Sequence, residues 1–596
     1  MAKHQGRLEL TWTNKDRALL STGHGKYDYA FADPHDPRVL EVRLLHEVDR
    51  IEAPISADRP NDLPQPPFDN LLITGDSMHA LDALAKTPEY ADKYLGNIKM
   101  VYIDPPFNTS QTFENYEDNL EHSIWLTLLR DRIRQIKPLL ARDGSIWVHL
   151  DDIEVHRCRA VLDEELGDTG FISQVIWQKR TSRENRAAFS ESHDTLLVYA
   201  RLPKSEWRHV RNRLPRTGVA SNADNDPRGP WDSIPFTAQG SRRNQMYRIT
   251  TPTGIIHGPP KGRCWGATEP EYLRLLEEGR IYFPRGGDGK PRVKQYEDEA
   301  KGLVPHTIWT AAEVDDNDKA KKEILSLFPE HDAFDTPKPE RLLQRIISIG
   351  SNPGDIVLDC FAGSGTTAAV AHKMGRRWVT SELLPQTVKT FTKPRLTRVV
   401  KGDDPGGITT MTARVDNTED GLPDGMTPEE AQEFTRLLGK ATKDQDDLDK
   451  ATVKTLRAST KTKDATTILW HGGGGFTHLE VGPSMYEVDE DGAVFLSDQA
   501  TNGTWSKAMA AQLKFTLTPN HPVFCGVRGR QRLAVIDGVA DEAVATTVLE
   551  NLGEKERAVV VAKAVLPEAA ELLSSKSPGS RTRRAPDDLF PKRTVK

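Results

Sequence analysis

The feature that most constrains the fold is an alternation of short apolar runs with longer segments of helical periodicity. The apolar runs, each of strand length, lie at residues 71–73, 98–103, 145–150 and 356–358. The segments with helical spacing lie at residues 77–84, 118–140, 339–349 and 366–374. Strands that alternate with helices favour a parallel sheet covered by helices. We therefore predict an α/β protein with a doubly wound, mostly parallel sheet.

This alternation is interrupted between residues 201 and 331, where glycine, proline, arginine and aromatic residues replace the periodic pattern. The interruption predicts a module inserted into the α/β domain. The predicted division is an N-terminal extension (1–65), a first α/β half (66–200), the insertion (201–330), a second α/β half (331–405), a helical connector (406–464), a small α/β C-terminal domain (465–573) and a basic tail (574–596).

Composition excludes several classes of protein. Apolar residues make up 37% of the chain and charged residues 28%, as in soluble globular proteins. No run of about 18 uncharged apolar residues offers a membrane span, and the first residues lack the apolar region of a secretory signal. We expect a cytoplasmic protein without membrane association. The four cysteines lie far apart without C-x-x-C pairing, so we expect neither a metal site nor a disulfide framework.

Charge is distributed unevenly along the chain. The formal net charge is −7, yet residues 180–300 contain 21 Lys and Arg against 15 Asp and Glu. A local basic surplus within a negative chain indicates a module that binds a polyanion. The tail at 574–596 carries seven basic residues against two acidic ones, and we interpret it as a solvated, disordered segment.

The first candidate site is the motif Asp104-Pro105-Pro106-Phe107, directly after the predicted strand at 98–103. Open α/β sheets place their active sites at the carboxyl ends of their strands. A carboxylate and a carbonyl here could accept hydrogen bonds from both N–H groups of an exocyclic amine and so localise its lone pair. The prolines carry no N–H, which leaves the Pro105 carbonyl without a competing donor, and Phe107 offers a stacking face for a flipped base.

The second candidate site is the glycine-containing turn at residues 359–366, between a predicted strand and an apolar helix. Its glycines permit close ligand approach, and the helix N-terminus can receive an anion such as the methionine carboxylate of S-adenosylmethionine. Glu382 follows the next strand, where a carboxylate can accept ribose hydroxyls. We predict an adenosyl ligand here, bound by Asp359, Phe361, Gly363, Gly365, Thr366 and Glu382.

These motifs resemble the D-P-P-Y/F and F-x-G-x-G motifs of DNA amino-methyltransferases, although Phe107 replaces the commoner tyrosine. The catalytic motif comes first and the cofactor motif last, an order that resembles the circularly permuted β group and, in particular, the modification (Mod) subunits of type III restriction systems. Asp76 resembles the family's strand-end acid that contacts the cofactor, and Lys338 lies in a segment that resembles the T-P-K-P motif before the cofactor strand. The resemblance therefore adds Asp76 and Lys338 to the expected cofactor-binding residues. Further similarity lies at Asn108, Thr109 and residues 123–126.

The resemblance implies a site-specific methyltransferase that uses S-adenosyl-L-methionine to methylate adenine N6 in double-stranded DNA, with the insertion as its target-recognition module. It also implies a homodimer and a possible restriction (helicase-nuclease) subunit as partner. One alternative is N4-cytosine methylation, although that group more often has serine or threonine at the position of Asp104. Methylation of RNA or a protein amide is another, and those families usually have asparagine there. A specificity subunit that mainly guides a nuclease is a further alternative, which the intact motifs disfavour.

Three other sets of residues allow two interpretations each. Asp151 and Asp152 follow the predicted strand at 145–150 and could serve the active edge of the sheet, but we favour helix capping. For His193 we favour a structural role over one in the site. The aromatic residues of the insertion could stack on nucleic acid or form the insertion's own core. They are Trp207, Trp231, Tyr247, Trp265, Tyr272 and Tyr282.

Overall fold

The structure of the protein is a computed structural model. It describes residues 9–21, 28–107, 121–215, 226–296, 302–331, 334–423, 426–443, 449–489, 493–501 and 503–590, together with residues 111–112, 117–118, 224 and 299. The chain forms two compact units. One consists of residues 1–212 and 306–596, and the other of residues 213–305.

The smaller unit is narrower than the insertion predicted at 201–330. Helices Lys204–Val210 and Asn317–Leu327 flank it and belong to the larger unit. The second helix escaped the sequence pattern because only Ala320, Ile324 and Leu327 are buried on an otherwise polar surface rich in lysine and aspartate. The prediction that this region lacks a long periodic segment is therefore wrong at its C-terminal end.

A ten-stranded sheet forms the core of the larger unit. In chain order its strands are β1 (Leu45–Ala53), β2 (Leu71–Thr74), β3 (Ile98–Ile103), β4 (Leu140–Leu150), β5 (Phe171–Gln178), β6 (His193–Ala200), β7 (Ile308–Trp309), β8 (Ile356–Asp359), β9 (Arg377–Glu382) and β10 (Gly474–Val481). Across the sheet the order is β7-β5-β6-β4-β3-β8-β9-β2-β10-β1. Six neighbouring strands in this order, β4, β3, β8, β9, β2 and β10, are all parallel to one another. The predicted α/β fold with a mostly parallel sheet is confirmed.

Helices cover both faces of this sheet. They include α1 (Ser77–Lys86), α2 (His122–Leu139), α3 (Val155–Leu166), α4 (Glu340–Gly350), α5 (Thr366–Lys373) and α6 (Lys393–Lys401). On one face, Leu81, Leu129 and Val161 of α1, α2 and α3 share a buried cluster with strand residues. On the other face α4 lies so close that a Cβ at Gly350 would be 2.9 Å from Met100 Sδ. Among the helices described, none is long and apolar enough to span a membrane.

The sheet includes strands from both ends of the chain, which differs from the predicted division. β1 comes from the predicted N-terminal extension, and β10, from the predicted C-terminal domain, lies between β2 and β1. The Asn70 amide donates to the Gly475 carbonyl at 2.7 Å, and Phe476 is fully buried. The four glycines at 472–475, which run into the start of β10, resemble a linker in sequence, yet Gly475 serves close packing, because a Cβ there would lie 2.7 Å from the Ile51 carbonyl oxygen.

The connector contains two helices, α7 (Pro428–Ala441) and α8 (Lys450–Ser459). A capping box begins α7, in which the Thr427 hydroxyl accepts from Glu430 N and the Glu430 carboxylate accepts from Thr427 N. The two helices lie in sequence between the paired strands Thr410–Asp416 and Thr462–Ile468. The connector is therefore a small folded element.

The C-terminal region forms a second sheet. Its strands, in spatial order, are β11 (Thr516–Leu517), β12 (Gly526–Arg528), β13 (Gln531–Ala540), β14 (Arg557–Val565) and β15 (Arg581–Arg584). Its helices are α9 (Thr504–Gln512), α10 (Glu542–Glu550) and α11 (Pro567–Lys576). Helix α10 joins the parallel strands β13 and β14, so the three elements form a β-α-β unit.

The predicted disordered tail contains a strand. β15 pairs in parallel with β14, so that Arg581 lies beside Val559 and Arg583 beside Val561. The disorder prediction is therefore wrong for residues 574–590, because backbone pairing with a buried strand outweighs a basic composition. Residues 591–596 lie outside the described part of the chain.

Most aromatic residues of the insertion pack against one another. Trp265 and Tyr272 are buried with Phe236, and Tyr247 packs against this cluster. Trp231 is 4% exposed and its ring lies 5.0 Å from that of Tyr282. Trp207 is likewise buried, in the larger unit. Of the two interpretations of these residues, the structure supports the core.

Candidate active site

A cleft lies at the carboxyl ends of the adjacent strands β3 and β8, where the two sequence motifs were expected to meet. It is lined by Tyr102, Asp104, Pro105, Pro106, Phe107, Phe334, Thr336, Pro337, Lys338, Asp359, Phe361, Ala362, Gly363, Ser364, Thr366, Thr367, Glu382 and Thr387. The structure thus brings together every predicted site residue except Gly365, which lies between two lining residues, and Asp76.

Lys338 holds one oxygen of Asp104 and leaves the other open. Its ammonium lies 2.5 Å from Asp104 Oδ2 and 5.0 Å from the centre of the Phe107 ring. Asp104 Oδ1 is buried and has no hydrogen-bond partner among the described residues. Buried polar atoms are normally satisfied, and leaving one unpaired costs about 1–3 kcal/mol. The cleft therefore contains an acceptor that is ready for an N–H donor.

Trp125 of α2 fixes the proline turn that follows Asp104. Its indole Nε1 donates to the Pro106 carbonyl at 2.6 Å, and its side chain is fully buried. Pro105 and Pro106 are buried, whereas Phe107 is half-buried and faces the cleft. Because Trp125 occupies the Pro106 carbonyl, we take the Pro105 carbonyl and Asp104 Oδ1 as the candidate acceptors of this turn; among the described residues neither accepts a hydrogen bond.

Asp359 ends strand β8 beside the catalytic motif. Its Oδ1 accepts from Phe361 N at 3.0 Å, and the carboxylate also bonds the Thr367 hydroxyl. Burial, together with the negative charges of Asp104 and Glu382, raises the pKa of Asp359 to about 7 against these hydrogen bonds. Asp359 thus gains or loses its charge near neutral pH.

Gly363 and Gly365 shape the turn between β8 and α5. Their φ angles are +50° and +78°, in the left-handed region that favours glycine. A Cβ at Gly363 would lie 3.3 Å from Phe334 Cζ, and one at Gly365 would lie 3.1 Å from Thr392 Cγ2. Helix α5 then begins at Thr366, so its N-terminal N–H groups point towards the turn. The turn offers a narrow backbone cradle at a helix N-terminus.

Glu382 ends strand β9 and closes the cradle. Its Oε2 accepts from Gly363 N at 2.8 Å and its Oε1 from Leu384 N at 3.1 Å. Burial raises the pKa of Glu382 to about 7, against the hydrogen bonds that lower it. The carboxylate therefore combines a fixed position with lone pairs that remain for hydroxyl donors.

A buried polar network lies behind the catalytic motif, and sequence reasoning missed it. The Tyr102 hydroxyl bonds His149 Nδ1 at 2.8 Å, and His149 Nε2 bonds Asp194 Oδ2 at 3.2 Å. Lys179 donates to Asp194 Oδ1 at 2.7 Å and, with His149, holds the pKa of Asp194 at about 2 despite burial. The His149 ring lies 5.9 Å from Phe107. The sequence signal that could have revealed this network is the presence of polar residues within otherwise apolar strands.

Asp76 lies outside the cleft, at the end of β2, which is two strands away from β8. Its Oδ1 accepts from Met78 N at 2.8 Å at the start of α1 and from the Arg132 guanidinium at 2.7 Å. Arg132 is 1% exposed, and its charge helps keep the pKa of Asp76 low although burial opposes this. In this structure Asp76 caps a helix and pairs with Arg132, and its contact with the cofactor stays a prediction.

Asp151, Asp152 and His193 are likewise absent from the lining of the cleft. Asp151 Oδ1 accepts from Ile153 N at 2.9 Å in a turn ahead of α3, whose N-cap is Glu154, so Asp151 does not cap that helix directly. Asp152 forms an ion pair with His193 at 3.5 Å. Asn108 and Thr109 lie outside the described residues.

Comparison with known proteins assigns the chain to a family. A family model described as DNA methylase matches residues 98–393. The DNA adenine methyltransferase YhdJ of Escherichia coli K12 is 52% identical over 326 residues, which cover 53% of this chain and 80% of that protein. The chain belongs to this family of DNA methylases.

Other matches cover less of the proteins concerned. The StyLTI Mod subunit, from a type III restriction-modification enzyme of Salmonella typhimurium, is 31% identical over 50% of this chain and 49% of its own length. The chain thus spans about half the length of this relative. Among solved structures, PvuII DNA methyltransferase (cytosine-N4-specific) matches 57% of this chain and 89% of its own at 14% identity, with a TM-score of 0.31. That score is too low to bear on the acceptor base.

Proposed function

We propose that the protein is a site-specific DNA methyltransferase, which transfers a methyl group from S-adenosyl-L-methionine to the N6 amine of adenine in duplex DNA. The observation that carries this proposal is the open acceptor of the cleft, because Asp104 Oδ1 is buried and unpaired in the same cleft as the glycine turn. The names of the Escherichia coli and Salmonella relatives, an adenine methyltransferase and a Mod subunit, support it.

The catalytic motif would activate the amine through its two acceptors. The amine is a weak nucleophile because its lone pair is delocalised into the base. Asp104 Oδ1 accepts one N–H and the Pro105 carbonyl accepts the other, which returns electron density to the nitrogen and orients it for in-line displacement. Lys338 fixes the carboxylate through Oδ2, and Trp125 fixes the turn through the Pro106 carbonyl.

Phe107 would hold the base. A base inside a duplex is inaccessible to these acceptors, so the nucleotide must flip out and stack in the cleft. Phe107 is held from behind by His149 and contacts the Lys338 ammonium, which limits its rotamers. A ring that is already fixed loses little conformational entropy when a base stacks on it.

The cradle after β8 fits S-adenosyl-L-methionine, which supplies a sulfonium-bound methyl group when it is bound. Gly363 and Gly365 permit close approach, and the N-terminus of α5 suits a carboxylate. The carboxylate of Glu382 can accept ribose hydroxyls, and Phe361 lines the same cleft. Asp359 and Thr366 complete the set of cofactor residues that we propose.

Mass spectrometry of digested DNA tests the acceptor directly. The purified protein, incubated with mixed-sequence duplex DNA and methyl-labelled S-adenosyl-L-methionine, should produce labelled N6-methyladenine. If the product is N4-methylcytosine, the acceptor is cytosine N4 and the assignment to adenine is wrong. Label found only in RNA would exclude DNA as the substrate. An unlabelled digest, together with a stable complex with a restriction nuclease, would favour the alternative of a specificity subunit.

We assign sequence recognition to residues 213–305, the smaller unit. It is a compact insertion between the catalytic and cofactor motifs, and the region around it has a basic surplus. A chimera with a relative's smaller unit should methylate the relative's site. The matched control exchanges helix Asn317–Leu327, which belongs to the larger unit, and should keep the original site. A chimera that retains the original site would move recognition out of this unit.

A homodimer and a restriction subunit as a partner are further parts of this proposal. The connector carries Leu437 and Leu456 at 50% and 38% exposure, which leaves apolar surface for a second protomer. Light scattering on the full-length protein should give twice the chain mass, and Leu437→Glu with Leu456→Glu should shift it towards the monomer. A monomeric wild type would contradict the homodimer. The partner is tested by co-purification with a helicase-nuclease encoded beside this gene.

A further inference from the structure

The strand formed by the basic tail lines a groove in the C-terminal sheet. Arg581 and Arg583 of β15 alternate with residues on the opposite face, so their Cα atoms lie about 6.6 Å apart on one face. Arg528 of β12 and Lys514 complete the basic rim, and Phe515 and Val559 form its apolar floor. The groove thus gathers four cations, which come from three separate segments of the chain.

The groove has almost no counter-charge. The backbones of Arg581 and Arg583 pair with β14, but neither side chain makes a hydrogen bond or ion pair with any residue that the structure describes. Burial lowers the pKa of Arg583, and the positive charges of Arg581 and Arg528 lower it further, while Asp588 is the one acid that opposes them. Like charges gathered without acids repel one another, and an anion would relieve that repulsion.

One cation of the groove, Arg528, is held in place. Arg528 donates through Nε and Nη2 to Gln531 Oε1 and through Nη1 to the Leu513 carbonyl, and its guanidinium lies 4.7 Å from the centre of the Phe515 ring. Gln512 bonds the backbone of Val42 and Leu40, which ties this edge to the N-terminal segment. A cation held in place loses little conformational entropy on binding a ligand.

We propose that this groove binds the phosphate backbone of duplex DNA, independently of base sequence. Planar guanidiniums match phosphate oxygens bidentately. The floor residues Phe515 and Val559 are 1% and 2% exposed, so they offer no apolar anchor of the kind that dominates protein interfaces. That the polyanion is DNA rests on the proposed function, whereas the inference that the groove binds a polyanion does not.

Fluorescence anisotropy on full-length protein tests this inference. Each phosphate contact contributes about 0.9 to the slope of log affinity against log salt. Arg581→Gln with Arg583→Gln should therefore lower that slope by about 2 for a labelled mixed-sequence duplex, and weaken binding roughly tenfold at low salt. The matched control is Arg584→Gln on the same strand, because Arg584 lies on the opposite face and already pairs with Asp587.

A charge-conserving variant and an acidic peptide probe distinguish the possible outcomes. Arg581→Lys with Arg583→Lys keeps the charge and should keep the slope, even if Gln variants melt earlier. An unchanged slope in the Gln variant overturns the inference, whether or not the protein methylates DNA. Loss of binding to a labelled poly-glutamate peptide, with DNA binding intact, would overturn it in favour of an acidic protein partner. A reduced slope in a protein that methylates nothing supports the groove and refutes only the proposed function.

Discussion

The cleft and the far edge of the central sheet are built in opposite ways. In the cleft, most of the predicted groups lie at or directly after the ends of β3, β8 and β9, and Lys338 joins them from the segment before α4. At the far edge, β10 lies between β2 and β1, and the bond from Asn70 to Gly475 joins residues 405 positions apart. In this chain the catalytic and cofactor motifs are short contiguous segments of sequence. The central sheet, by contrast, is completed by strands that lie far apart in sequence. Changes in the cleft should therefore alter activity more than folding, whereas changes at the edge should alter folding first.

The largest effect is expected from ending the chain after Asn417. Such a truncation removes β10, and with it the neighbour that pairs with both β2 and β1. The exposed edge of β2 should then cause aggregation, because an unpaired apolar strand invites pairing with other chains. Size-exclusion chromatography and thermal unfolding measure this. A monodisperse truncation with a cooperative transition would show that the edge is dispensable.

A matched pair of point variants separates the edge from a general effect of truncation. Phe476 of β10 is fully buried, whereas Phe495 is 52% exposed. Phe476→Ala should lower the free energy of unfolding by about 3–5 kcal/mol, and Phe495→Ala should change it by less than about 0.5 kcal/mol. Denaturant titration of both variants gives the two values.

In the cleft, Asp104→Asn should slow methyl transfer by about a thousandfold, because the amide nitrogen offers a donor in place of an acceptor. Affinity for S-adenosyl-L-methionine and the melting temperature should change little. The control is Asp152→Asn, an exposed carboxylate outside the lining of the cleft. Single-turnover methylation and calorimetric titration measure the two effects. Loss of cofactor binding in the Asp104 variant would contradict the separation of roles.

Gly363→Ala should weaken the binding of S-adenosyl-L-methionine about tenfold, because the added methyl would lie 3.3 Å from Phe334 in the cradle. The matched control is Gly354→Ala. Gly354 also has a positive φ, of +86°, but nothing lies within 4 Å of its Cβ position. Both variants should lose about 1–2 kcal/mol of stability from backbone strain. Equal cofactor affinities in the two would remove the turn from the binding site.

The smallest effect is a dependence on pH. Burial raises the pKa of Glu382 and of Asp359 to about 7, so both protonate as the pH falls below neutral. Affinity for S-adenosyl-L-methionine should fall severalfold between pH 8 and pH 6, because a protonated Glu382 loses acceptor capacity for ribose hydroxyls. The Glu382→Gln variant should bind more weakly and vary less with pH. Calorimetric titration across this range tests both statements.

The stability of the free protein should change in the other direction. A carboxyl group whose pKa is higher in the folded state than in the unfolded state stabilises the fold while it is protonated. This contribution is complete below the unfolded pKa values near 4 and is lost as the pH rises through about 7. Denaturant titration of wild type and Glu382→Gln without cofactor should show a smaller decline in the variant. An identical decline would exclude Glu382 as its source.

The fold and the cleft could be predicted where the sequence signal lies within one short segment of the chain. The apolar runs before Asp104 and Asp359 gave strands, and the doubled proline and the glycines gave the turns. The His149 to Asp194 network was missed because it joins different strands, and pairing partners are not visible in one sequence. The same reason explains β10 and β15, since composition alone made one resemble a linker and the other a tail.

The position of β10 has a consequence for how the protein is made. Translation proceeds at about 5–20 residues per second, so residue 481 leaves the ribosome tens of seconds after β2 and β3 do. During that interval β2 lacks a sheet neighbour on one side, although the catalytic and cofactor motifs have both been synthesised. We expect the nascent chain to need a chaperone until β10 arrives, and enzymatic competence to appear only late in synthesis.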